Sequence, residues 1–225
     1  MNEPKAQTTE QILAGVPMLK LKPLPPEEEA RRQAQRERER AESSAHRLRE
    51  LMAEARAPKR QLANRELDRS GPWGEKYVKI LGMLGTGFIV ALIRHRGNGK
   101  TQMAVELIRH NAEQSKRSLY ATATEFFMDV KATYRTDARE SERDVLNRYG
   151  KPALLVLDEI GRRGETDWED RLLFELVDRR YRDVKDTLLL SNQDGAQFET
   201  AVGAAITSRL NETGGIVECD WESFR

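Results

Sequence analysis

The aromatic residues are confined to one part of the chain, and this limits where a hydrophobic core can form. The three Trp, five Tyr and six Phe of the 225-residue sequence all lie between Trp73 and Phe224. The sequence therefore predicts a polar arm at residues 1–56, a connector at 57–72 and a folded domain at 73–225. A segment of about 150 residues is long enough to bury a core of its own.

The composition excludes several classes of protein. Thirty-eight Lys and Arg residues against 37 Asp and Glu give a net charge of +1, so bulk charge does not hold the chain on nucleic acid. The single Cys219 excludes an intramolecular disulfide framework and a multi-Cys zinc site. The longest uncharged stretch, residues 80–93, is too short to cross a bilayer, and the first residues do not resemble a secretory signal. We therefore expect a soluble, cytoplasmic protein without a membrane partner.

The arm is rich in strong helix formers between residues 27 and 56, so we expect a helix there. Apolar residues appear late in it, as a two-turn stripe of Leu48, Leu51, Met52 and Ala55. Two interpretations remain open: a solvated charged helix, or a helix whose stripe docks on a partner protein. We expect the arm to add almost nothing to the core, because it contains no aromatic residue and little apolar surface.

From residue 73 onward, five apolar runs alternate with segments of helical periodicity. The predicted strands are residues 88–93, 118–123, 153–157, 187–191 and 216–220. The predicted helices are residues 99–114, 125–134, 140–149, 167–183 and 202–210. This alternation predicts an α/β fold, with a five-stranded parallel sheet sandwiched by helices.

The first apolar run leads directly into the sequence RHRGNGKT at residues 94–101. A strand, a glycine-containing loop, GKT and a helix together form the context of a Walker A phosphate loop. Backbone N–H groups and the helix N-terminus can bind a polyphosphate there. Lys100 is expected to reach the β- and γ-phosphates of ATP, and the Thr101 hydroxyl to coordinate Mg²⁺. The predicted phosphate-binding residues are Gly97, Asn98, Gly99, Lys100, Thr101 and Gln102.

Arg94 occupies the position of the first glycine of the full motif. Its side chain must point out of the loop, or it will obstruct the turn. A chance GxGKT sequence in an ordinary turn is the alternative interpretation.

Acidic and polar residues follow the third and fourth predicted strands. Asp158 ends an apolar run, as in a Walker B motif, and is expected to hold Mg²⁺ near the loop, while Glu159 orients or activates the attacking water. Asn192 follows the next strand and is expected to position the same water; its alternative role is that of a turn residue. Arg209 precedes the last strand and could act in trans on a neighbouring subunit, or pair with Glu212 at the surface.

Residues 73–225 resemble the AAA+ ATPases of the DnaC/IstB-like group, the bacterial and phage helicase loaders. The resemblance rests on the segments GNGKTQMA, LYATATEFFMDVK, LLVLDEIG, LVDRRY, LLLSNQ, ITSRL and WESFR, in this order. It implies an ATP-dependent DNA replication protein that binds single-stranded DNA and recruits the replicative helicase, with ATP binding and hydrolysis as an assembly switch. ATP and Mg²⁺ are the implied cofactors, and an ATP-dependent homo-oligomer is the implied assembly.

The same resemblance assigns roles residue by residue. Lys100 and Thr101 match Walker A, Asp158 and Glu159 Walker B, Asn192 sensor 1, and Arg209 the arginine finger. Arg180 and Arg225 also match family positions. Because the given sequence ends directly after the fifth predicted strand, we expect an AAA+ domain without a C-terminal helical lid domain.

The helix at 125–134 sits where this group carries an insertion that contacts single-stranded DNA. Lys131, Tyr134 and Arg135 are therefore candidate DNA contacts, with Arg162 and Arg163 as further exposed candidates. An ordinary packed helix with solvated ends is the alternative.

Two other functions remain open. One is an IstB-like ATPase helper of a transposase, which would use the same fold and a different partner. The other is an adaptor with a degraded loop; the presence of Lys100, Thr101, Asp158 and Glu159 argues against it. The helicase loader is the favoured interpretation, with the arm as the segment that binds the helicase.

Overall fold

The structure, a computed structural model, describes residues 25–63, 70–162, 164 and 166–222. The predictions for Arg163 and Arg225 lie outside these residues. The chain divides into two compact units, and the division falls between Ser43 and Ser44.

The predicted arm helix is present as α1, Pro26–Glu54. Three glutamates in its first turn favour the positive end of the helix dipole. Residues 27–43, which belong to the first unit, are all exposed, as a solvated charged helix requires.

The end of α1 belongs to the second unit, and its apolar residues are buried. Leu51 and Ala55 are fully buried, and Ala57 nearly so. The expectation that residues 1–56 add almost nothing to the core is therefore wrong for this end of the arm. The two-turn stripe that suggested a docking surface packs within the protein's own domain at these positions.

All five strands are present and parallel, in the order β2-β3-β4-β1-β5. Their bounds are β1 Ile89–Ile93, β2 Ser118–Thr122, β3 Leu154–Asp158, β4 Asp186–Leu190 and β5 Gly215–Glu218. The three central strands are apolar on both faces because helices cover both faces of the sheet.

The remaining helices lie on the two sides of this sheet. Their bounds are α2 Lys59–Ala63, α3 Gly71–Leu81, α4 Lys100–Glu113, α5 Ala123–Ala132, α6 Glu142–Gly150, α7 Asp167–Arg182, α8 Gly195–Val202 and α9 Ala204–Thr213. One core joins α5 to α9 to the sheet face formed by Ile89, Ala91 and Ile93. The other joins α3, α4 and the end of the arm to the face formed by Val90 and Leu92.

Three of the observed helices were not predicted from the sequence: α2, which lies in the predicted connector, and α3 and α8, which both begin with residues typical of turns. Helix α3 opens with Gly-Pro-Trp-Gly, but a proline is compatible with the first turn of a helix. Helix α8 follows Asp194-Gly195, where the Asp194 side chain accepts a hydrogen bond from the Gln197 backbone N–H and forms a capping box.

Candidate nucleotide-binding site

The loop after β1 has the backbone shape that its glycines allow. Gly97 and Gly99 have φ angles of 96° and 72°, in the left-handed region that side chains disfavour. Gly99 is also the residue from which α4 begins. The backbone N–H groups at the start of this helix are thus placed as in an anion-binding site.

Arg94 adopts a φ of 95°, which is unusual for a residue with a side chain. Its guanidinium leaves the loop and contacts Glu218 at the end of β5. The Nη2 and Nε atoms donate to the same Glu218 oxygen at 2.7 and 3.2 Å. The hydrogen bond and the charge of Glu218 raise the pKa of Arg94. The prediction that this side chain must point out of the loop is confirmed.

Lys100 folds back over the loop that precedes it. Its ammonium group donates to the carbonyl oxygens of Arg94 at 2.6 Å and His95 at 2.7 Å. Burial lowers the pKa of this lysine, because the charged form loses hydration. The ammonium group therefore lies within the loop, where the two backbone carbonyl oxygens accept its hydrogen bonds.

Thr101 and Asp158, the two predicted magnesium ligands, are in direct contact. The hydroxyl of Thr101, in the first turn of α4, donates to Oδ2 of Asp158, the last residue of β3, at 3.2 Å. Burial raises the pKa of Asp158, whereas its hydrogen bonds lower it. A hydroxyl and a carboxylate are the hard oxygen donors that Mg²⁺ prefers, so these residues fit the ion.

Mg²⁺ at this position would take its remaining ligands from phosphate and water oxygens, as is usual for nucleotide sites. Within the described residues, no group of three or more His, Cys, Asp or Glu side chains is placed to hold a metal ion.

Tyr120 is a site residue that the sequence analysis missed. It lies in the middle of β2, and its hydroxyl donates to Asp158 Oδ2 at 2.5 Å. Strand β2 pairs directly with β3, in a register that places Thr122 opposite Asp158. A tyrosine in the middle of a predicted strand near the Walker B strand was the available signal.

Glu159 follows β3 and has a φ of 60°. Its backbone N–H donates to Asp158 Oδ1 at 2.6 Å, and its carboxylate pairs with Arg162 at 2.9 Å. The predicted role of Glu159 towards a water molecule stays a prediction. The pairing shows that Arg162, predicted as an exposed DNA contact, has an acidic partner.

Asn192 follows β4 and is half-buried at the same edge of the sheet. Its role in positioning water stays a prediction. The next residue, Gln193, binds the loop through its carbonyl, which accepts from the Arg94 N–H at 3.0 Å. The Gln193 side chain also covers Gly161, where an added Cβ would lie 2.7 Å from Oε1. Gln193 thus links the β4 end to both motifs, and the sequence analysis did not single it out.

Two of the predicted loop residues use their side chains for other contacts. Asn98 donates to the carbonyls of Cys219 and Trp221, both at 2.7 Å. Gln102 donates to the Gln61 carbonyl in α2 at 3.2 Å and to Glu106 at 3.4 Å. These side chains anchor the loop and its helix to the rest of the domain.

Two indoles donate to loop carbonyls. Trp221 Nε1 donates to the Asn98 oxygen at 2.9 Å, and Trp73 Nε1 to the Gly99 oxygen at 3.2 Å. The loop is therefore held from the segment after β5 and from α3.

Arg209 lies on α9 and contacts Asp178 on α7 through Nη2. Its guanidinium also lies over the rings of Phe174 and Tyr181, at 4.9 and 5.3 Å from their centroids. The alternative pairing with Glu212 is wrong, because Glu212 accepts from the Tyr181 hydroxyl instead. Within the described part of the chain, the hydrogen bonds, ion pair and ring contacts of Arg209 are with α7 and α9, and its role in trans stays a prediction.

Arg180 is fully buried and has a structural role. Its guanidinium donates to the Thr187 hydroxyl and to the carbonyls of Tyr149, Gly150, Pro152 and Asp186. Burial lowers the pKa of Arg180 to about 9. At this matched family position the guanidinium therefore binds the protein's own oxygen atoms.

The candidate DNA-binding surface combines α5 with an indole that was not predicted. Trp168 donates through Nε1 to the Tyr134 hydroxyl at 3.2 Å, and the two rings are 6.2 Å apart in an edge-to-face arrangement. Tyr134 nevertheless stays 55% exposed, and Lys131 and Arg135 are exposed beside it. Arg135 pairs with Asp137 at 3.1 Å.

None of the helices in the described ranges is long and apolar enough to span a lipid bilayer.

Comparisons with known proteins agree with the phosphate-loop geometry. Residues 27–225 match the sequence profile of the family described as IstB-like ATP binding protein. Proteins named replicative helicase loader DnaC are 28% identical in Escherichia coli K12 and 26% identical in Buchnera aphidicola from Baizongia pistaciae, each over 130 residues. These alignments cover 57% of this chain and 53% of each relative, so the chain spans about half the length of these relatives.

Solved structures of similar fold have low sequence identity. The crystal structure of the DnaC helicase loader has a TM-score of 0.61 at 19% identity, and covers 72% of this chain and 99% of that one. The crystal structure of DnaI has a TM-score of 0.56 at 19% identity, and covers 79% and 93% of the two chains. The sheet order, the loop and these likenesses together establish a P-loop fold of the AAA+ type, and the chain belongs to the IstB-like ATP binding protein family.

Proposed function

We propose that this protein is a cytoplasmic, ATP-dependent replicative helicase loader, which binds single-stranded DNA and recruits the replicative helicase to it. One observation carries the proposal: Lys100, Thr101 and Asp158 meet at one edge of the sheet, in a chain whose relatives are named helicase loaders. ATP binding and hydrolysis would serve as the assembly switch.

The residues of the loop have separable roles in this proposal. Lys100 exchanges the carbonyls of Arg94 and His95 for phosphate oxygens, which bear more negative charge. Thr101 and Asp158 hold Mg²⁺, which neutralises phosphate charge when it is bound. Glu159 and Asn192 lie after neighbouring strands, and orient the water that attacks the γ-phosphate.

Nucleotide binding is tested directly by Lys100→Ala. We expect this variant to lose most of its affinity for ATP in an equilibrium titration, because the phosphates lose their cation. Lys79→Ala is the matched control, since Lys79 is exposed on α3 and should leave the affinity unchanged. Equal ATP affinity in wild type and Lys100→Ala would contradict the proposal.

The surface formed by Lys131, Tyr134, Arg135 and Trp168 is the proposed contact for single-stranded DNA. Cations beside a half-exposed aromatic pair suit both the phosphates and the base faces of a single strand. We expect Lys131→Ala to weaken DNA binding and to lower the slope of its salt dependence by about one. An unchanged slope in a fluorescence anisotropy titration, with Lys79→Ala as control, would remove this surface from consideration.

The arm is the proposed contact for the helicase. Residues 27–43 are exposed along the whole of their helical surface, so they are available to a partner. Deletion of residues 1–43 should abolish co-purification with the helicase while ATP binding is retained. Retained co-purification would place the helicase contact elsewhere in the chain.

An IstB-like helper of a transposase is the second candidate. The family profile that carries the IstB name matches residues 27–225, including most of α1, whereas the alignments with DnaC span 130 residues. The two candidates differ in the partner that the full chain recovers from its host. Recovery of a transposase in place of a helicase would favour the transposase helper. A transposase gene next to the gene of this protein would favour it as well.

A further inference from the structure

We propose that Tyr120 is a positioning residue of the nucleotide site, which fixes the Asp158 carboxylate in the orientation that binds magnesium. The inference rests on the proposed ATP-binding function and adds a residue that no Walker motif contains. It acts through Asp158 and has no predicted contact with nucleotide.

The geometry around Asp158 restrains both oxygens of its carboxylate. Oδ2 accepts from the Tyr120 hydroxyl at 2.5 Å and from the Thr101 hydroxyl at 3.2 Å. Oδ1 accepts from the Glu159 backbone N–H at 2.6 Å. The carboxylate cannot rotate about its Cβ–Cγ bond without breaking these contacts, and Tyr120 makes the shortest of them.

The Tyr120 hydroxyl donates its hydrogen bond in a protected place. Its side chain is almost fully buried within the domain. The donated bond therefore goes to an anionic acceptor in a poorly solvated place, where such bonds are strong.

The backbone of Tyr120 is also fixed, from the other side of the strand. Strand β2 is at the edge of the sheet, and the Tyr120 N–H donates to the Ala55 carbonyl at 2.8 Å. Arg117, just before β2, pairs with Glu54 at 3.1 Å. The end of the arm helix thus holds the strand, and the strand holds the tyrosine against the carboxylate.

The test compares Tyr120→Phe with wild type in a Mg²⁺ titration of nucleotide binding at equilibrium, which requires no turnover. A fluorescent ATP analogue is the probe, and the full-length chain is used. We expect the Mg²⁺ concentration at half-maximal effect to rise about tenfold, the size of effect that outer-shell partners have on metal affinity. Binding of the analogue in the presence of EDTA should stay unchanged.

Tyr149→Phe is the matched control. Tyr149 is another buried tyrosine, and its hydroxyl donates to the Asp129 carboxylate at 2.8 Å, outside the nucleotide site. This variant should keep the wild-type Mg²⁺ dependence while it shares any general cost of removing a buried hydroxyl. Circular dichroism establishes that both variants are folded.

A second comparison uses Asp158→Asn as the background. If Tyr120 acts through the Asp158 charge, Tyr120→Phe should cause no further shift in that background. A further tenfold shift there would overturn the proposal.

The failure of this proposal is distinguishable from failure of the proposed function. If wild type shows Mg²⁺-dependent binding and Tyr120→Phe shows the same midpoint, the positioning role is overturned and the nucleotide site stands. If nucleotide binding by wild type shows no Mg²⁺ dependence at all, the positioning role and the proposed function are both contradicted, because Asp158 then binds no metal.

Discussion

Arg94 combines a left-handed backbone with a side chain, in a loop position where the Walker pattern has glycine. The conformation is costly for any residue with a Cβ, and the contact with Glu218 is a partly exposed ion pair of small value. The backbone strain at Arg94 therefore costs more free energy than the ion pair with Glu218 contributes.

We expect Arg94→Gly to stabilise the protein, because glycine adopts this backbone conformation without strain. The expected rise in Tm is about 2–4 °C, the shift for the relief of one strained residue in a domain of this size. Glu218→Ala removes the ion pair and keeps the strain, so it serves as the control and should lower the Tm slightly. A lower Tm for Arg94→Gly would show that the pair outweighs the strain.

Glu159→Gln separates nucleotide binding from hydrolysis. The amide keeps the size of the side chain and loses its basicity, so we expect ATP affinity within about twofold of wild type. ATP turnover should fall by at least about 100-fold, the contribution typical of general base catalysis. Arg162→Ala frees the Glu159 carboxylate and is the companion variant. Undiminished turnover in Glu159→Gln would assign water activation to another residue.

The sequence predicted the site residues that lie in motifs, because a strand followed by a loop fixes where they go. Lys100, Thr101 and Asp158 lie where the pattern of strands placed them. Tyr120 and Gln193 were missed, since their contacts depend on strand register and side-chain direction. The burial of Arg180 was not predicted, because it depends on oxygen acceptors from several elements, which no local pattern reveals.

The arm helix serves two roles along its length. Its first part is exposed, and its last turns contribute Leu51 to the core. A boundary drawn from the absence of aromatic residues falls beyond these turns, because two turns of aliphatic residues are enough to dock a helix end. The apolar stripe at the end of α1 therefore belongs to the core of the domain that follows it in the chain.

Leu51→Ala tests this assignment. Removal of a fully buried leucine should cost about 2–5 kcal/mol of unfolding free energy, measured by urea denaturation. Leu48→Ala is the matched control from the same stripe; Leu48 is only half-buried and should cost less. Equal and small losses of unfolding free energy in both variants would show that the stripe is not part of the core.

Truncations extend the same reasoning to the whole element. Deletion of residues 1–43 should leave the Tm within about 2 °C of wild type, since residues 27–43, the part of this segment whose burial the structure describes, are all exposed. Deletion of residues 1–57 should lower it markedly, because it removes Leu51, Ala55 and the carbonyl that pairs with Tyr120. Similar Tm values for both truncations would contradict the structure.

The alternation of strands and helices made the whole architecture predictable. Each of the five predicted strands is observed, and the helices that follow four of them begin with reciprocal capping boxes or at the phosphate loop. The strand order was not predictable from periodicity, because it depends on which strands pair rather than on where they lie in the chain.

At the scale of the assembly, the predicted role of Arg209 gives a specific expectation. Arg209→Ala should lower ATP turnover, and mixing it with Lys100→Ala should restore part of the turnover, because each subunit supplies what the other lacks. Arg182→Ala is the matched control, since Arg182 pairs with the same Asp178 and should leave turnover unchanged. The measurement is ATPase rate against total protein concentration; no restoration on mixing would remove the trans role.

The two indoles that donate to the Asn98 and Gly99 carbonyls have a practical consequence. Three tryptophans occur in the sequence, and two of them, Trp73 and Trp221, touch the backbone that any bound phosphate would reshape. The protein therefore carries an intrinsic optical reporter, and its ultraviolet emission should change when the loop is filled. Replacing Trp168 by Phe would leave a signal that belongs to the loop alone, so ligands could be ranked without a dye.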